Sequence, residues 1–391
     1  MQNTQKLEKI FLWIVRICLW AIPLLPFYIS PSMLFPFITG KNFVFRILVE
    51  AAFVFWAGLA VAQPKYRPKL TPLLKAATIF IVILFFADLL GANPYRSFFS
   101  NYERMEGFMM LSHLYLYFLM LISVFKSRRD WLVFFHISLL ASLAVSSLGL
   151  MQRLGYRVSL QGGFRVDSTI GNPTYLAAYL VFHLWMLLIL MQRFWKKWWL
   201  IGIYSAVFLF ELIIIYFTAT RGAVIALVAV GIPFLGVVVA LWPRIFSGVP
   251  AMRKWVGWGV GFIVLIPLVF WLMRSTSFIQ SSPVLRRLTN YSLSEGTIQA
   301  RFMIWGMSGK GFWDRPILGW GQENYYLVFQ KYYNPKLWRD EPWFDRSHNI
   351  VFDWLIHTGF VGLTSFFAIL FVAFRGIIRA LRKTKGSVWE G

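Results

Sequence analysis

Hydrophobic residues along this chain come in long runs, not at the spacing of an amphipathic helix or strand. The runs cover about 9–28, 43–63, 73–92, 107–125, 131–151, 173–192, 198–219, 222–242, 255–273 and 349–374. Each is near the roughly 20 apolar residues that a helix needs to cross a bilayer core. The Gly and Pro inside them are tolerated in spanning helices, where neighbouring groups satisfy the freed backbone. The pattern predicts ten spans. It changes once, between Arg274 and His348, the only long polar segment. A further apolar run follows it, so the segment must fold against one membrane face. The expected division is a bundle of nine spans over 1–273, a long loop with short helices over 274–347, and a last span with a basic tail over 348–391.

Charges in the short loops set an orientation. With the N-terminus inside, one set of loops carries Lys65, Arg67 and Lys69; Lys126, Arg128 and Arg129; Arg193, Lys196 and Lys197; and Arg244, Arg253 and Lys254. The tail adds Arg375, Arg379, Arg382, Lys383 and Lys385. These segments are basic and nearly free of acids, as inside loops are. Lys6, Glu8 and Lys9 precede the first run with no small-residue cleavage site after it, which reads as a retained span. The opposite face collects 29–42, 92–107, 152–173, the turn 218–222 and the long segment, all richer in Asp, Glu, Asn, Gly and aromatics. Chemistry is expected on that outer face.

Composition excludes several classes. Of 391 residues only 14% are charged and 58% are hydrophobic, which rules out an ordinary soluble domain. The net charge of +23 would suggest nucleic acid in a soluble protein. Here the cations flank spans and face anionic headgroups, so membrane lipids and not nucleic acid are the expected partner. The single Cys18 cannot form an intrachain disulfide. No HExxH or Cys/His set suggests a metal site, and no GxxxxGK[ST] loop suggests a nucleotide-driven pump. Aromatics make up 19% of the chain and read mainly as interfacial anchors, although a few in the long segment could stack on sugar rings.

Several residues could carry chemistry. Thr218-Ala219-Thr220-Arg221-Gly222-Ala223 places an arginine at the outer boundary between two spans. It is either a snorkelling side chain or a bidentate phosphate ligand flanked by small residues. Arg96, Arg104, Arg153, Arg157 and Arg165 also lie outside, where cations should be scarce. An ion pair with Glu103, Glu106 or Asp167 explains any one of them; an anionic ligand explains the set. Gly162-Gly163 and Gly171-Asn172-Pro173 put turn-formers around Asp167. Residues 299–306, including Arg301, suit a short amphipathic helix on the surface. Asp314-Arg315-Pro316-Ile317-Leu318-Gly319-Trp320-Gly321 reads as a turn with close backbone approach at its glycines. His348 closes the segment in Asp345-Arg346-Ser347-His348-Asn349. Ser347 or Asn349 can cap the next helix, and Asp345 could orient an imidazole that accepts a proton near neutral pH.

Taken in order, Tyr102-Glu103-Arg104-Met105-Glu106-Gly107, Gly171-Asn172-Pro173-Thr174-Tyr175-Leu176-Ala177, Thr220-Arg221-Gly222, Arg301 with Trp305, the 314–321 segment, Ser347-His348-Asn349 and Gly359-Phe360-Val361-Gly362-Leu363 resemble the O-antigen ligase and polymerase family. The resemblance covers most of the chain from about residue 95. It implies an all-α polytopic fold of the C-type glycosyltransferase kind in a bacterial inner membrane, with cytoplasmic termini and a periplasmic active site. It also implies a metal-independent, inverting transfer from an undecaprenyl-diphosphate-linked glycan to an acceptor hydroxyl, with no cofactor. The acceptor would be lipid A-core for a ligase, a growing glycan for a polymerase, or a protein for an O-oligosaccharyltransferase. Carried over by position, the family's diphosphate-binding arginines fall on Arg221 and Arg301 and its essential histidine on His348. Further substrate-binding candidates are Arg104, Arg165, Asn172, Arg315, Arg346 and Asp345. Family members usually have more spans after the histidine, so up to twelve are allowed for here.

A reading from a different class is a transporter or flippase for a lipid-linked glycan, whose signature would be ionisable residues within spans. Arg46, Glu50, Asp88, His136, His183 and Glu211 qualify, with Arg46 and Glu50 one turn apart and able to pair. Paired repeats with broken helices, common in transporters, are not evident. A non-catalytic envelope scaffold is a third reading.

Overall fold

A computed structural model describes residues 2–159, 163–240, 261, 265, 269–289, 296–339 and 343–383. All regular structure among them is helical: α1 Gln2–Ala21, α2 Thr39–Ala62, α3 Pro72–Leu89, α4 Pro94–Phe99, α5 Phe108–Val124, α6 Arg128–Arg153, α7 Pro173–Arg193, α8 Trp198–Thr218 and α9 Arg221–Ala240. After these come α10 Ser277–Ser281, α11 Pro283–Thr289, α12 Gly296–Asp314, α13 Tyr325–Lys331 and α14 Ile350–Lys383. By length and composition, seven helices among the described residues can cross a membrane: Gln5–Phe27, Thr39–Ala62, Pro72–Leu89, Arg128–Arg153, Pro173–Arg193, Trp198–Thr218 and Ile350–Ala380. Two shorter apolar helices, Phe108–Val124 and Arg221–Gly236, stand at two more of the ten expected positions. The expected span at 255–273 lies mostly outside the described residues, as do the loop cations Arg244, Arg253 and Lys254.

The helix starts follow local chemistry. Thr71, Asn93 and Asn172 each precede a proline at the first helical position, and each side chain accepts backbone N–H groups of the following turn. An N–H lost to proline there would have had no intrahelical partner. Ser127 and Asp130 cap α6 reciprocally: the Ser127 hydroxyl accepts from the Asp130 N–H, and Asp130 accepts from the Ser127 N–H.

The chain forms two compact units, one from 1–133 with 292–377 and the other from 134–291 with 378–391. In the first, the long segment builds its own core: Ala300, Ile304 and Met307 of α12 pack with Tyr325, Val328 and Phe329 of α13 and with Leu337, Phe344 and Ile356. The surface helix expected at 299–306 is thus the middle of a longer helix, with one face in this core and Arg301 on the exposed side.

The last apolar run is not one straight helix. Gly359 sits at φ 64° and ψ −165°, breaking α14 between Thr358 and Phe360. The strap 316–321 crosses the break and satisfies its backbone: Trp320 and Gly321 N–H donate to Ile356 and His357 carbonyls at 2.7 and 3.0 Å, and Phe360 and Val361 N–H donate to Pro316 and Ile317 carbonyls at 2.8 and 3.3 Å. Irregular backbone in a membrane-length helix is stable only where protein satisfies it. The strap continues into Gln322-Glu323-Asn324, which pack on the α3–α4 corner through Gln322 N–H to Asp88 (2.7 Å) and Asn324 Nδ2 to Ser97 Oγ (2.9 Å).

The ionisable residues inside the spans have partners within their own units. Arg46 interacts electrostatically with Glu50 and donates to the Met105 carbonyl at 2.9 Å, and Glu50 meets His113 Nε2 at 3.0 Å, so the pair also has two bonds reaching α5 and the loop before it. Asp88 holds Gln322, His136 meets Tyr204, His183 meets Ser138, and Glu211 accepts from Ser142. Such pairing is what polar groups in hydrocarbon require for stability alone.

Candidate functional site

In the first unit, a short turn fixes His348. Its backbone is left-handed at φ 51°, uncommon for a residue with a Cβ. Ser347, beside it, is fully buried and held on three sides: its N–H donates to Asp353 Oδ1 (2.8 Å), its carbonyl accepts from the Trp305 indole N–H (3.1 Å), and its hydroxyl bonds Ser308 Oγ (2.9 Å). Ser308 also bonds the buried Tyr325 hydroxyl, whose pKa burial pushes up to about 12. Asn349 rather than Ser347 caps α14, accepting from the Val351 N–H at 3.0 Å. The result is an exposed imidazole on a backbone tied down through Ser347, edge-on to Phe344 at 5.7 Å.

Arg301 lies on α12 four residues before Trp305, about 6 Å along the axis and on the same face. Trp305 in turn bonds the residue preceding His348. Trp305 thus ties the α12 face that carries Arg301 to the backbone next to His348. The Arg301 side chain is exposed and forms no ion pair among the described residues. Asp353→Ala should strip the Ser347 N–H of its acceptor and cost about 1–3 kcal/mol. Thermal unfolding of the detergent-solubilised protein measures this, and Asp353→Asn, which keeps an oxygen in place, should recover most of it.

Behind this turn runs a charged network. Arg104 grips Asp345 with two nitrogens, Nε at 2.6 Å and Nη2 at 3.1 Å. Arg346 pairs with Glu323 at 3.1 Å and with Glu106. Desolvation alone would lower the Arg346 pKa; Glu106, Glu323 and Asp345 outweigh it and hold the guanidinium more firmly charged than usual. Asp345, considered above as a partner for His348, thus engages Arg104, and Arg104 pairs with Asp345 in place of the expected Glu103 or Glu106. Arg315 stands apart from this network, exposed and stacked on Trp320 at 4.9 Å.

The second unit holds the other arginines. Arg165 donates to the Thr218 carbonyl (2.8 Å) and to Thr220 Oγ1 (3.2 Å); Arg221 Nε donates to the Arg287 carbonyl (2.6 Å) and Arg287 Nε to the Ala219 carbonyl (3.2 Å). Three guanidinium groups thus surround the turn between α8 and α9, tied to backbone oxygens. Burial and the positive charge of Arg287 both pull the Arg165 pKa down. Asp167, an expected partner for Arg165, instead accepts from Gln152 (2.9 Å) and Ser159 (2.8 Å). Asn172 serves as the cap of α7, and Thr220 Oγ1 donates to the Pro173 carbonyl beside it. Arg287 was not singled out in the sequence. The adjacent pair Arg286-Arg287 in the outer segment was the available signal.

The O-antigen ligase family model matches residues 206–367, which include Arg221, Arg301 and His348. Over these residues the chain is similar to the O-antigen ligase family. Ligases of this family are glycosyltransferase-like enzymes that act on a lipid-linked glycan and an acceptor in general, and the likeness supports that general class here. The helices long and apolar enough to span make it a polytopic membrane protein. No curated protein matches the chain.

Proposed function

We propose that this protein transfers a glycan from undecaprenyl diphosphate to an acceptor hydroxyl at the periplasmic face of a bacterial inner membrane, with both termini cytoplasmic and lipid A-core as the acceptor. The observation that carries the reading is the exposed His348, its backbone held through Ser347 by Asp353, Trp305 and Ser308, with Arg301 one helical turn before Trp305 on α12. His348 takes the acceptor proton as its oxygen attacks the anomeric carbon. The bond to the diphosphate breaks on the opposite side, so configuration inverts and the leaving group departs with both electrons. Guanidinium groups fixed in place can stabilise that growing charge without a metal. Arg301 and Arg221 take this role, with Arg165 and Arg287 adding positive potential at the Arg221 turn. Arg104, Arg346, Asp345 and Arg315 would shape the ground on which the substrate rests.

Arg221→Ala and Arg301→Ala should each lower turnover about 100- to 1,000-fold, the usual effect of deleting one transition-state donor. The assay is transfer from a defined glycan-diphosphate-undecaprenyl donor to purified core glycolipid in detergent or proteoliposomes. Full activity in both variants would remove the arginines from the mechanism. Product formed only on glycan ends or on a protein would identify a polymerase or an O-oligosaccharyltransferase with the same donor chemistry.

A further inference from the structure

The long segment presents a row of aromatic rings that ends at His348. Tyr326 and Trp343 stack with centroids 6.2 Å apart and planes 27° apart. Trp343 then meets Phe329 at 6.4 Å, Phe329 meets Phe344 at 5.8 Å, and Phe344 meets His348 at 5.7 Å. Phe329 and Phe344 are buried and form the back of the row. Trp343 is 45% exposed and Tyr326 half-buried, so the far end offers open aromatic surface. Arg96 holds its guanidinium over the Tyr326 ring at 4.3 Å, and its Nε is buried with no acceptor among the described residues.

Two kinds of molecule could cover such surface. Lipid tails favour aromatic rings in an apolar surround. Pyranose rings favour rings whose rim offers charged donors and acceptors, because a sugar presents C–H groups on its faces and hydroxyls around its edge. The rim here is charged: Arg96 lies on Tyr326. An aromatic floor with a few fixed polar groups is the usual make-up of a small-molecule site, and Trp and Tyr supply large contact area from rigid side chains.

We propose that Trp343 and Tyr326, backed by Arg96, form a sugar-binding shelf that seats a pyranose of the glycan substrate and leads it toward His348. This rests on the transfer reading above, and it adds a subsite away from the reacting bond. The glycan seated there can belong to the donor or to the acceptor.

The test combines binding and kinetics. Saturation-transfer NMR with a free oligosaccharide, cut from the donor glycan or from the acceptor core, should show ring C–H protons in contact with wild-type protein. Trp343→Ala should abolish this and raise KM about tenfold for whichever substrate carries that glycan, with kcat changed less than about twofold; Trp343→Phe should restore most of both. A KM effect confined to long-glycan donors assigns the shelf to the donor, and one confined to the intact acceptor core assigns it to the acceptor. His348→Ala should keep the NMR contacts while losing transfer, so binding is read independently of the chemistry. Unchanged saturation transfer and unchanged KM in Trp343→Ala, with its melting temperature retained, would overturn the proposal. So would contacts that detergent or lipid alone displaces.

Discussion

His348→Ala is expected to lower kcat for glycan transfer by about 100- to 10,000-fold, the range that positioned acid–base catalysis supplies. The size of the effect follows from the setting of the residue. Its side chain is exposed, so it contributes little packing, while its backbone is fixed through Ser347 by Asp353, Trp305 and Ser308. On the proposed role, a group anchored in a left-handed conformation acts on something outside the fold. The variant should therefore melt close to wild type and still bind donor, losing only turnover. Measuring kcat and KM at several pH values separates the two contributions, because a lost base removes the acidic limb of the profile and leaves KM nearly unchanged. A variant with near-normal kcat would assign the proton-accepting role to another acid of the segment, Glu323 or Asp345. Both are already committed to Arg346 and Arg104.

Residue patterns conveyed much of this fold because bilayer physics leaves few choices. An apolar run of spanning length must be helical, and among the described residues nine of the ten expected runs are apolar helices. The turn over 314–321 and the exposed side of α12 were readable for local reasons. The pairings were not. Arg104 and Asp345 are 241 positions apart, and Arg346 and Glu106 are 240 apart. Nothing in a single chain says which of several acids near an arginine will meet it. The break in α14 was hidden differently: Gly359 lies in an uninterrupted apolar run, where glycine is common in spanning helices, and only the strap crossing it shows why this glycine differs from its neighbours. The aromatic row was visible as composition but not as order, since its members come from α13 and from the turn before His348.

Gly359→Ala should be the most damaging small substitution in the first unit, with a loss of more than about 3 kcal/mol or no folded protein at all. Two costs combine. The left-handed backbone at φ 64° penalises any residue with a Cβ by about 1–2 kcal/mol. The added Cβ would also press on the Ile317 carbonyl and lie 2.7 Å from the Leu318 nitrogen. These are backbone atoms that no rotamer change can move, so the strap must lift, and each hydrogen bond it gives up leaves a buried group unsatisfied at about 1–3 kcal/mol. Gly376→Ala is the control. It lies in the same helix with open space around its Cβ position, and should be neutral or stabilising by up to about 1 kcal/mol. Comparing the two by thermal unfolding in one detergent isolates the break from the general effect of glycine in a helix. Transfer activity should fall with the first variant and not with the second, since the strap runs on into Glu323, which holds Arg346 two residues from His348. Equal melting temperatures for the two would mean that the strap merely rests on α14 and that the turn around His348 is held by Asp353 and Trp305 alone.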